Sequence, residues 1–504
     1  MDILHHILFG LGVALQPDNL LFCFIGVLIG TLVGVLPGLG PVAAISLLLP
    51  ATFHAPPISS IIMLSGIYYG AMYGGSTTSI LVNIPGEAAS VVTCFDGYQM
   101  ARKGRAGAAL GIAAFGSFIA GTLGVVGLAL VAPPLAAMAL KFGPPEYFSL
   151  MVLGITVLTF LSGGSMLKSL MMACFGVVIG NVGLDLMSAQ PRFTFGLNIL
   201  LDGVGLVPLV MGLFGISEVL LNVEEKLSER EIFKTKFKGL LPSLKDWKES
   251  FWPIIRGSIL GFFLGILPGG GAVISSFVSY GVEKKLSKHP EEFGKGAIAG
   301  VAGPESANNA ATAGAFIPLL TLGLPSNAVM AILLGALMIY GMPPGPRLIT
   351  SHPTLFWGVI SSMYIGNAML LVLNLPLIGL WVQILKVPYP VLFPLILLFC
   401  LIGAYSLNAN TTEIGLMLFF GVLGYLMKKF KYDGAPLVLA MVLGPLMDNS
   451  LRQSLLMSGG SGTIFFTSPI CLAILGAVAV ILLMPLLPRL TRIRKAVGEA
   501  EEVK

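Results

Sequence analysis

The feature that most limits the fold of this chain is a ladder of glycines that ends in a Pro-Gly break. It occurs twice, 231 residues apart, inside strongly apolar sequence. Seven of the fifteen residues from Gly26 to Gly40 are identical to those at the equivalent positions from Gly257 to Gly271. Proline interrupts helices, and broken helices at corresponding places in two halves are typical of secondary transporters. The pattern therefore predicts a membrane protein with two related halves.

The composition also indicates a membrane location. Apolar residues make up 56% of the 504 residues and charged residues 11%, whereas soluble domains contain about 25% charged residues. The mean hydropathy is +0.91. The apolar runs are too long and continuous for the alternating strands, roughly ten residues each, of a transmembrane barrel. We therefore expect an all-α polytopic membrane protein.

Neither the cysteines nor the basic residues indicate a cofactor or a nucleic-acid site. The five cysteines are isolated in apolar sequence without CxxC spacing, which favours core packing over a metal site or a disulfide. The net charge of +5 comes from clusters in loops, so it reports membrane topology rather than nucleic-acid binding. The expected bound ion is only a coupling ion, Na⁺ or H⁺.

Apolar stretches long enough to cross a bilayer, roughly 15 to 25 residues, recur along both halves. They lie near 108–132, 147–163, 168–183, 203–221, 355–383, 389–407, 414–427, 434–450 and 463–487. Two further apolar regions, 61–97 and 297–341, are interrupted by small and polar residues, so each is expected to cross with an irregular middle. Together these regions predict about 11 transmembrane spans.

The basic residues indicate which loops face the cytoplasm. They cluster near 102–105, 226–256, 284–295, 428–431 and 489–495, and the positive-inside rule makes these segments cytoplasmic. Both flanks of the second ladder then lie on one side, so residues 254–282 are predicted to form a re-entrant hairpin. The flanks of the first ladder contain no Lys or Arg. Its hairpin, at 20–50, is therefore predicted to enter from the opposite side.

This topology predicts two inverted repeats. The first comprises residues 1–221 and the second residues 254–487, with a charged cytoplasmic linker at 222–253 and a basic cytoplasmic tail at 488–504. Non-helical backbone at membrane depth must be buried in protein or line a wet cavity. The two hairpin tips are therefore expected to meet near the middle of the membrane, and the substrate site is expected there.

Polar residues beside each ladder have the chemistry that such a site needs. The two polar stretches align around Pro85 and Pro325. Hydroxyl, amide and freed carbonyl oxygens are ligands for Na⁺, and helix N-termini with Ser or Thr donors bind carboxylates. The predicted substrate- and ion-binding residues are Pro37, Gly38, Gly40, Ser76, Thr77, Thr78, Asn83, Glu87, Pro268, Gly269, Gly271, Glu305, Ser306, Asn308, Asn309, Thr321, Ser326 and Asn327.

Structural roles for the same residues remain open. Glycines at four-residue spacing are often only sites of close helix packing, and buried polar groups also form helix–helix hydrogen bonds. An intramembrane carboxylate such as Glu87 or Glu305 is a candidate for ion coupling, and a helix N-cap is the alternative role. Asp448 and Arg452, four residues apart, are expected to form a structural ion pair.

Four stretches of this sequence together resemble a known family. They are Gly34–Pro41 (GVLPGLGP), Pro85–Leu110, Gly261–Gly271 and Gly303–Ala310 (GPESANNA). In this order they are similar to the large membrane subunit of tripartite tricarboxylate transporters, and the resemblance covers nearly the whole chain. It implies a transporter in the bacterial inner membrane that imports carboxylates such as citrate, driven by an ion gradient. It also implies two partners, a small membrane subunit and a periplasmic solute-binding protein.

Two other functions are weighed against ion-coupled import. A passive channel also places polar residues in the membrane but does not need inverted hairpins. An intramembrane serine hydrolase is suggested only by the short pattern Gly459–Gly462, which contains Ser461, and all five histidines lie near termini or loops. A phosphate-binding loop of the GxxxxGK[ST] type is not present in the sequence, which excludes that class of ATP-driven pump. We therefore expect a transporter and not an enzyme.

Overall fold

The computed structural model describes residues 3–36, 40–161, 165–185, 187–224, 239–269, 271–385, 389–408 and 410–483, which are mostly helical. The helices are α1 (Ile3–Ala14), α2 (Pro17–Val35), α3 (Pro41–Thr52), α4 (Pro57–Val82), α5 (Val91–Arg102), α6 (Ala106–Ala139), α7 (Pro144–Leu161), α8 (Met166–Gly180), α9 (Leu206–Val210), α10 (Ser217–Glu224), α11 (Leu244–Ile266), α12 (Gly271–Leu286), α13 (Ala299–Leu322), α14 (Ala328–Ile339), α15 (Leu348–Ser351), α16 (Pro353–Asn374), α17 (Ile378–Ile384), α18 (Tyr389–Asn408), α19 (Thr411–Lys429), α20 (Ala435–Met457), α21 (Ile464–Thr467) and α22 (Pro469–Leu483).

Short elements connect some of these helices. A π-helical turn, Met211–Ile216, joins α9 to α10, and 3₁₀ turns lie at Ala88–Ser90, Asn198–Leu200 and Pro290–Glu292. In the described residues the only sheet is a pair of two-residue antiparallel strands, β1 (Gly183–Leu184) and β2 (Pro191–Arg192). The predicted all-α architecture is therefore confirmed.

Within the part of the chain that the structure describes, four helices have the length and apolar composition to cross a membrane, namely α2, α6, α16 and α19. Several predicted spans coincide with single helices; residues 108–132 lie inside α6 and residues 414–427 inside α19. The predicted span at 355–383 is divided between α16 and α17, which are separated at residues 375–377. Together the helices indicate a protein that passes through the membrane more than once.

Helices α4 and α13 form the centre of the fold. Nearly all of their residues are buried, because each is apolar or small on every face and is surrounded by other helices. Helix α2 packs along α4, and α11 packs along α13 in the same way. Helix α6 packs against α13, and α16 contacts both α4 and α6. This arrangement places the two polar stretches of the sequence in the protein interior.

The two glycine ladders are the surfaces through which these helix pairs pack. A Cβ atom added to each ladder glycine would lie 2.0 to 2.6 Å from a carbonyl oxygen of the partner helix. Only glycine permits such close approach of two backbones. The contacts are Gly26 with Met63, Gly30 with Ile67 and Gly34 with Ala71 in the first half, and Gly257 with Gly303, Gly261 with Ala307 and Gly265 with Ala311 in the second.

Ion pairs join segments that are distant in the sequence. Arg105, just before α6, pairs with Asp246 at the start of α11. The expected pair of Asp448 with Arg452 is present, with 3.2 Å between Oδ2 and Nε. It belongs to a larger network, because Arg192 and Asp185 of the β1–β2 segment pair with these same two residues. The network therefore attaches the β1–β2 segment to α20.

Candidate functional site

Helices α4 and α13 end with the same backbone geometry. The residue after α4 is Asn83, with φ 60° and ψ 31°, and the residue after α13 is Gly323, with φ 69° and ψ 26°. Both are left-handed conformations that close a helix C-terminus and turn the chain. A proline follows two residues later in each half, Pro85 and Pro325, and prevents the helix from resuming. The aligned sequences therefore produce matching breaks.

The helix after each break begins with a polar N-cap. Glu87 has φ −145° and ψ 167°, and its side chain accepts a hydrogen bond from the backbone N–H of Ala89 at 2.6 Å. Asn327 has φ −155° and ψ 176°, and its Oδ1 accepts from the backbone N–H of Met330 at 3.0 Å. Each N-cap lies four residues after the left-handed residue of its break. Glu87 thus has the N-cap geometry that was its alternative interpretation.

The end of each ladder lies beside the break of its own half. In the second half the backbone N–H of Gly269 donates to the carbonyl oxygen of Ser326 at 2.7 Å. In the first half the hydroxyl of Thr78 donates to the carbonyl oxygen of Val35 at 2.6 Å. A Cβ at Gly86 would lie 1.9 Å from the carbonyl oxygen of Gly34. Both breaks are therefore in direct contact with the glycine ladders.

The residues of the two Pro-Gly turns are only partly described. Pro37 and Gly38 lie outside the described residues, and Gly40 is the N-cap of α3. Pro268 and Gly269 lie between α11 and α12, and Gly269 has φ +83°. Gly271 is the first residue of α12 and has φ +38°. Two left-handed residues within three positions explain why the second turn requires glycine.

Contacts between the halves bring the two breaks close together. Helix α12 of the second half packs against the 3₁₀ turn Ala88–Ser90, which follows the first break. In the corresponding way, α3 of the first half packs against α14, which follows the second break. The Nδ2 of Asn327 donates to the hydroxyl of Tyr68 in α4 at 3.1 Å. Residues from both halves therefore surround one region.

Glu305 is the most deeply buried carboxylate of this region. Its side chain is fully buried in α13. The hydroxyl of Ser76 in α4 donates to Oε2 at 2.5 Å, and the hydroxyl of Thr93 in α5 donates to Oε1. Glu305 forms no ion pair with any residue that the structure describes. It therefore joins the second half to both sides of the first break through hydroxyl donors only.

Several of the predicted site residues have buried polar atoms without a partner. Among the described residues, neither the amide nitrogen nor the amide oxygen of Asn308 has a hydrogen-bond partner, and the hydroxyls of Ser306 and Ser326 have none. A buried polar group without a partner is costly, so such groups indicate a missing ligand, ion or water. Asn308 is fully buried and Ser326 lies in the second break, which makes this region the candidate binding site.

Three further predicted residues, Asn309, Thr321 and Thr77, are buried in α13 and α4. The Nδ2 of Asn309 donates to the hydroxyl of Ser117 in α6 at 2.7 Å, which is a bond between helices. The hydroxyl of Thr321 donates to the carbonyl oxygen of Ile317 in its own helix. Thr77 is buried in α4. Unlike Asn308, these three residues are not among those with a buried polar atom that lacks a hydrogen-bond partner.

Two small cavities lie between α4, α6 and α16. The first is lined by Ser76, Thr77, Ser117 and Asn374, among others, and the second by Asn309 and Asn367, among others. Each has space for on the order of one water molecule. A citrate-sized molecule does not fit either cavity. Neither of these two cavities therefore holds the substrate in the described conformation.

Sequence reasoning missed several residues that connect the halves. Asp96 in α5 is fully buried, and its Oδ1 accepts from the backbone N–H groups of Gly294, Gly296 and Ala297 at 2.7 to 2.9 Å. Its Oδ2 accepts from the hydroxyl of Tyr280 in α12 at 2.9 Å. Asp96 could have been selected from the sequence, because it is a carboxylate only nine residues after Glu87. Thr93 gave no signal, because a single hydroxyl in apolar sequence is common.

No group of three or more His, Cys, Asp or Glu residues in the described part of the chain is arranged to hold a metal ion. Neutral oxygen and nitrogen atoms from Ser and Asn dominate the region between the breaks. Such groups coordinate alkali cations or bind carboxylates, and they do not form a transition-metal centre.

Comparison with known proteins gives two similar proteins from one organism. Over 502 residues the chain is 52% identical to a protein of Agrobacterium vitis described as "Uncharacterized 52.8 kDa protein in TAR-I ttuC' 3'region", and the match covers 100% of both chains. A second protein of that organism, described as "Uncharacterized protein in TAR-II ttuC' 3'region", is 54% identical over 228 residues, which are 45% of this chain and 94% of that protein. No solved structure matches.

Residues 20–439 match the family described as "Tripartite tricarboxylate transporter TctA family". The matched region contains both ladders, both breaks and every predicted site residue. Members of this family are components of tripartite tricarboxylate transporters. The chain therefore belongs to the tripartite tricarboxylate transporter TctA family.

Proposed function

We propose that this chain is the translocating subunit of a tripartite transporter in the bacterial inner membrane. It imports tri- or dicarboxylates such as citrate, driven by a gradient of Na⁺ or H⁺. A periplasmic solute-binding protein delivers the substrate, and a small membrane subunit completes the complex. The observation that carries this proposal is the pair of matching breaks, which end α4 and α13 with the same geometry and meet in one region.

Packing between the halves supports two inverted repeats, 1–221 and 254–487. Each ladder packs on the central helix of its own half, and each half packs against the break of the other. In this arrangement α2–α3 and α11–α12 are the two re-entrant hairpins, covering the predicted ranges 20–50 and 254–282. Movement of one half against the other would open the region between the breaks to alternate sides of the membrane.

The free polar atoms support a carboxylate or ion site. The amide of Asn308 supplies both a donor and an acceptor, and the hydroxyls of Ser306 and Ser326 supply two more groups. A carboxylate bound by such neutral donors and by helix N-termini does not need an intramembrane arginine. Because Asn308 lies in α13 and Ser326 in the break between α13 and α14, rearrangement of α13 against α14 would change the site.

Contacts between basic segments support the proposed orientation, with the C-terminus in the cytoplasm. The side chain of Lys103 donates to the backbone of Lys295, and Arg105 pairs with Asp246. Three basic segments from different parts of the chain thus lie together on one face. By the positive-inside rule this face is cytoplasmic.

The small size of these two cavities favours a carrier over a passive channel. A channel keeps a continuous path for its substrate, whereas a carrier passes through states closed to both sides. Ser461 of the suggested hydrolase motif lies in an exposed turn, and its hydroxyl hydrogen bonds with that of Thr463 at 2.8 Å. This neighbour is a hydroxyl and not a base, which favours the transport function.

Uptake into proteoliposomes tests the proposal. The chain is reconstituted with its small membrane subunit, and uptake of labelled citrate is measured with and without the binding protein, under a Na⁺ gradient and then a pH gradient. Uptake that requires the binding protein and follows one gradient supports the proposal. Citrate flux that never exchanges against a gradient in counterflow would instead identify a channel.

A matched pair of variants tests the location of the site. Asn308→Ala removes the free buried amide and should strongly reduce citrate uptake. Asn181→Ala is the control, because the Asn181 side chain bonds only to the backbone of α8, far along the chain from both breaks. Equal uptake by the two variants would contradict the proposed position of the site.

A further inference from the structure

The surroundings of Glu305 are those of a carboxyl group that carries a proton. The side chain is fully buried, and its oxygens contact only the hydroxyls of Ser76 and Thr93. An ionised carboxylate without a cation is costly in an apolar interior, and the group avoids this cost by taking up a proton. In the described conformation Glu305 is therefore expected to be neutral.

The hydrogen-bond pattern accommodates this proton. The Ser76 hydroxyl lies 2.5 Å from Oε2 of Glu305 and 3.4 Å from the carbonyl oxygen of Met72. A protonated Glu305 donates from Oε2 to the Ser76 oxygen, and Ser76 then donates to Met72. Thr93 continues to donate to Oε1. Every group in this chain of bonds is satisfied, and Ser76 becomes the relay between Glu305 and the space behind it.

That space is the first cavity described above. Ser76 lines it together with Ser117 and Asn374, and it holds on the order of one water molecule. The Oδ1 of Asn374 is buried and has no partner among the described residues. An unpartnered acceptor beside a polar cavity is a site for an ordered water. A water bound there would receive a proton that leaves Glu305 through Ser76.

The position of the cavity indicates where this proton goes. Leu110 and Ala113, in the first turns of α6, line it, and α6 begins directly after the basic segment 102–105. Asn374 is the last residue of α16 and closes the same end. The cavity thus extends from Ser76 toward the face of the protein that the basic residues assign to the cytoplasm.

The other titratable groups near Glu305 are either neutral or already hydrogen-bonded, so Glu305 is the group that exchanges a proton. Tyr73 of α4 and Cys94 of α5 interact with it electrostatically, and both side chains are ordinarily neutral near pH 7. Helices α6, α14 and α15 contain no titratable residue. The charged groups on the other neighbouring elements have their own hydrogen bonds, namely Glu87 with Ala89, Asp96 with the loop before α13, and Glu283 of α12 with Arg256 of α11.

We propose that Glu305 is the proton-binding group that couples carboxylate import to an H⁺ gradient, and that Ser76 and the adjoining water-sized cavity form its route to the cytoplasm. Glu305 takes up one proton while the site is open to the periplasm and releases it through Ser76 when the site opens inward. The O–H bond of the Glu305 carboxyl forms when the proton is taken up and breaks when the proton passes on to the cytoplasm, and no other covalent bond changes. The inference rests on the proposed import function, because it specifies how that same region is coupled to a gradient.

The test uses the complete reconstituted complex with labelled citrate as the probe. Glu305→Gln keeps the size and neutrality of a protonated carboxyl but cannot release a proton. We expect this variant to lose accumulation driven by a pH gradient and to retain counterflow exchange, which needs no net proton movement. Size-exclusion chromatography verifies that the variant is folded. Accumulation by Glu305→Gln at the wild-type level would overturn the inference.

A second pair of variants is decisive if Glu305→Gln fails to fold. Ser76→Ala removes the relay, whereas Ser79→Ala removes a buried hydroxyl of α4 that bonds to the carbonyl oxygen of Gly75 and to the Cys94 side chain, and not to Glu305. Ser76→Ala should slow pH-driven accumulation more than counterflow, and Ser79→Ala should change neither. Equal behaviour of the two serine variants would overturn the proposed route.

The outcomes also separate this inference from the proposed function. If wild-type uptake follows only a Na⁺ gradient, the import function stands and the role of Glu305 is refuted. If the wild-type complex moves no citrate or other carboxylate under either gradient, the proposed function fails and the inference fails with it. Citrate is also added to each purified complex in weak buffer. If the wild-type complex then takes up protons and the Glu305→Gln complex does not, the inference is supported independently of transport.

Discussion

Replacing Gly261 with alanine tests the packing role of the glycine ladder. A Cβ at Gly261 would lie 2.0 Å from the carbonyl oxygen of Ala307 and 2.6 Å from its Cα. Both are backbone atoms, so no side-chain rotation relieves the contact. Cβ contacts under 3.0 Å are essentially never observed, so α11 and α13 must move apart by about 1 Å. A separation of this size removes roughly a quarter to a half of the dispersion attraction between atoms in contact.

The expected cost follows from this separation. Inserting one methyl group into a tightly packed interface usually destabilises a protein by about 1 to 3 kcal/mol, and the neighbouring contacts at Gly257 and Gly265 are lost together with the one at Gly261. Gly281→Ala in α12 is the matched control, because a Cβ there meets nothing within 4 Å. Alanine should stabilise that helix by up to about 1 kcal/mol.

The two variants are compared in detergent by thermal unfolding and by reversible unfolding in a denaturing detergent, with tryptophan fluorescence as the signal. Gly261→Ala should unfold at a lower temperature than the wild-type protein, and Gly281→Ala at the same or a higher temperature. A Gly261→Ala protein as stable as Gly281→Ala would refute the conclusion that the ladder is a close backbone contact.

Three further predictions concern the turn, the contact between halves and the β1–β2 segment. Gly269→Ala should reduce both stability and citrate uptake, because Gly269 has φ +83° and a Cβ there would lie 2.7 Å from the Cα of Leu158. Gly459→Ala is the control and should leave uptake unchanged, because Gly459 has φ +62° but a Cβ there would meet no atom within 4 Å. Asp96→Asn should lower the free energy of unfolding by about 1.5 to 3 kcal/mol, because three N–H groups lose a charged acceptor. Tyr280→Phe should lower it by only about 0.5 to 1.5 kcal/mol, because one hydroxyl donor to Asp96 is lost. Equal losses of the two variants in unfolding experiments would contradict this order. The Ser188 hydroxyl donates to Asp185 and lowers the pKa of that carboxyl. The stability that this interaction contributes is present above the unfolded-state pKa of about 3.9 and is lost as the pH falls through the lower pKa of the folded state. Below a pH of about 3.9, the unfolding temperature of Asp185→Asn should therefore fall less than that of the wild-type protein.

Local geometry could be predicted from the sequence because single residues dictate it. Pro268 with its neighbouring glycines predicted the turn between α11 and α12, and the alignment around Pro85 and Pro325 predicted two corresponding breaks. Proline removes a backbone donor and glycine permits left-handed conformations wherever they occur. Such effects do not depend on distant residues, which is why the breaks were visible before the fold was known.

Contacts between the halves could not be predicted in the same way. Ser76 and Glu305 are 229 positions apart, and their hydrogen bond exists only because α4 and α13 lie side by side. The sequence marked Glu305 as a buried carboxylate but did not indicate that hydroxyls from both sides of the first break would reach it. The role of Asp96 was missed for the same reason, because its partners Gly294, Gly296 and Ala297 belong to the other half.

The sequence by itself determined that this chain is an all-α membrane protein with two corresponding helix breaks, and it carried the motifs of the transporter family. Apolar composition, helix-breaking residues and repeated spacing are properties of the chain alone. The tertiary structure decided which polar groups are satisfied and which are left free. Asn308 and Asn309 are adjacent in sequence, but they leave α13 in different directions, so only Asn309 reaches a partner on α6. That difference comes from the packing of neighbouring helices, which no local pattern encodes.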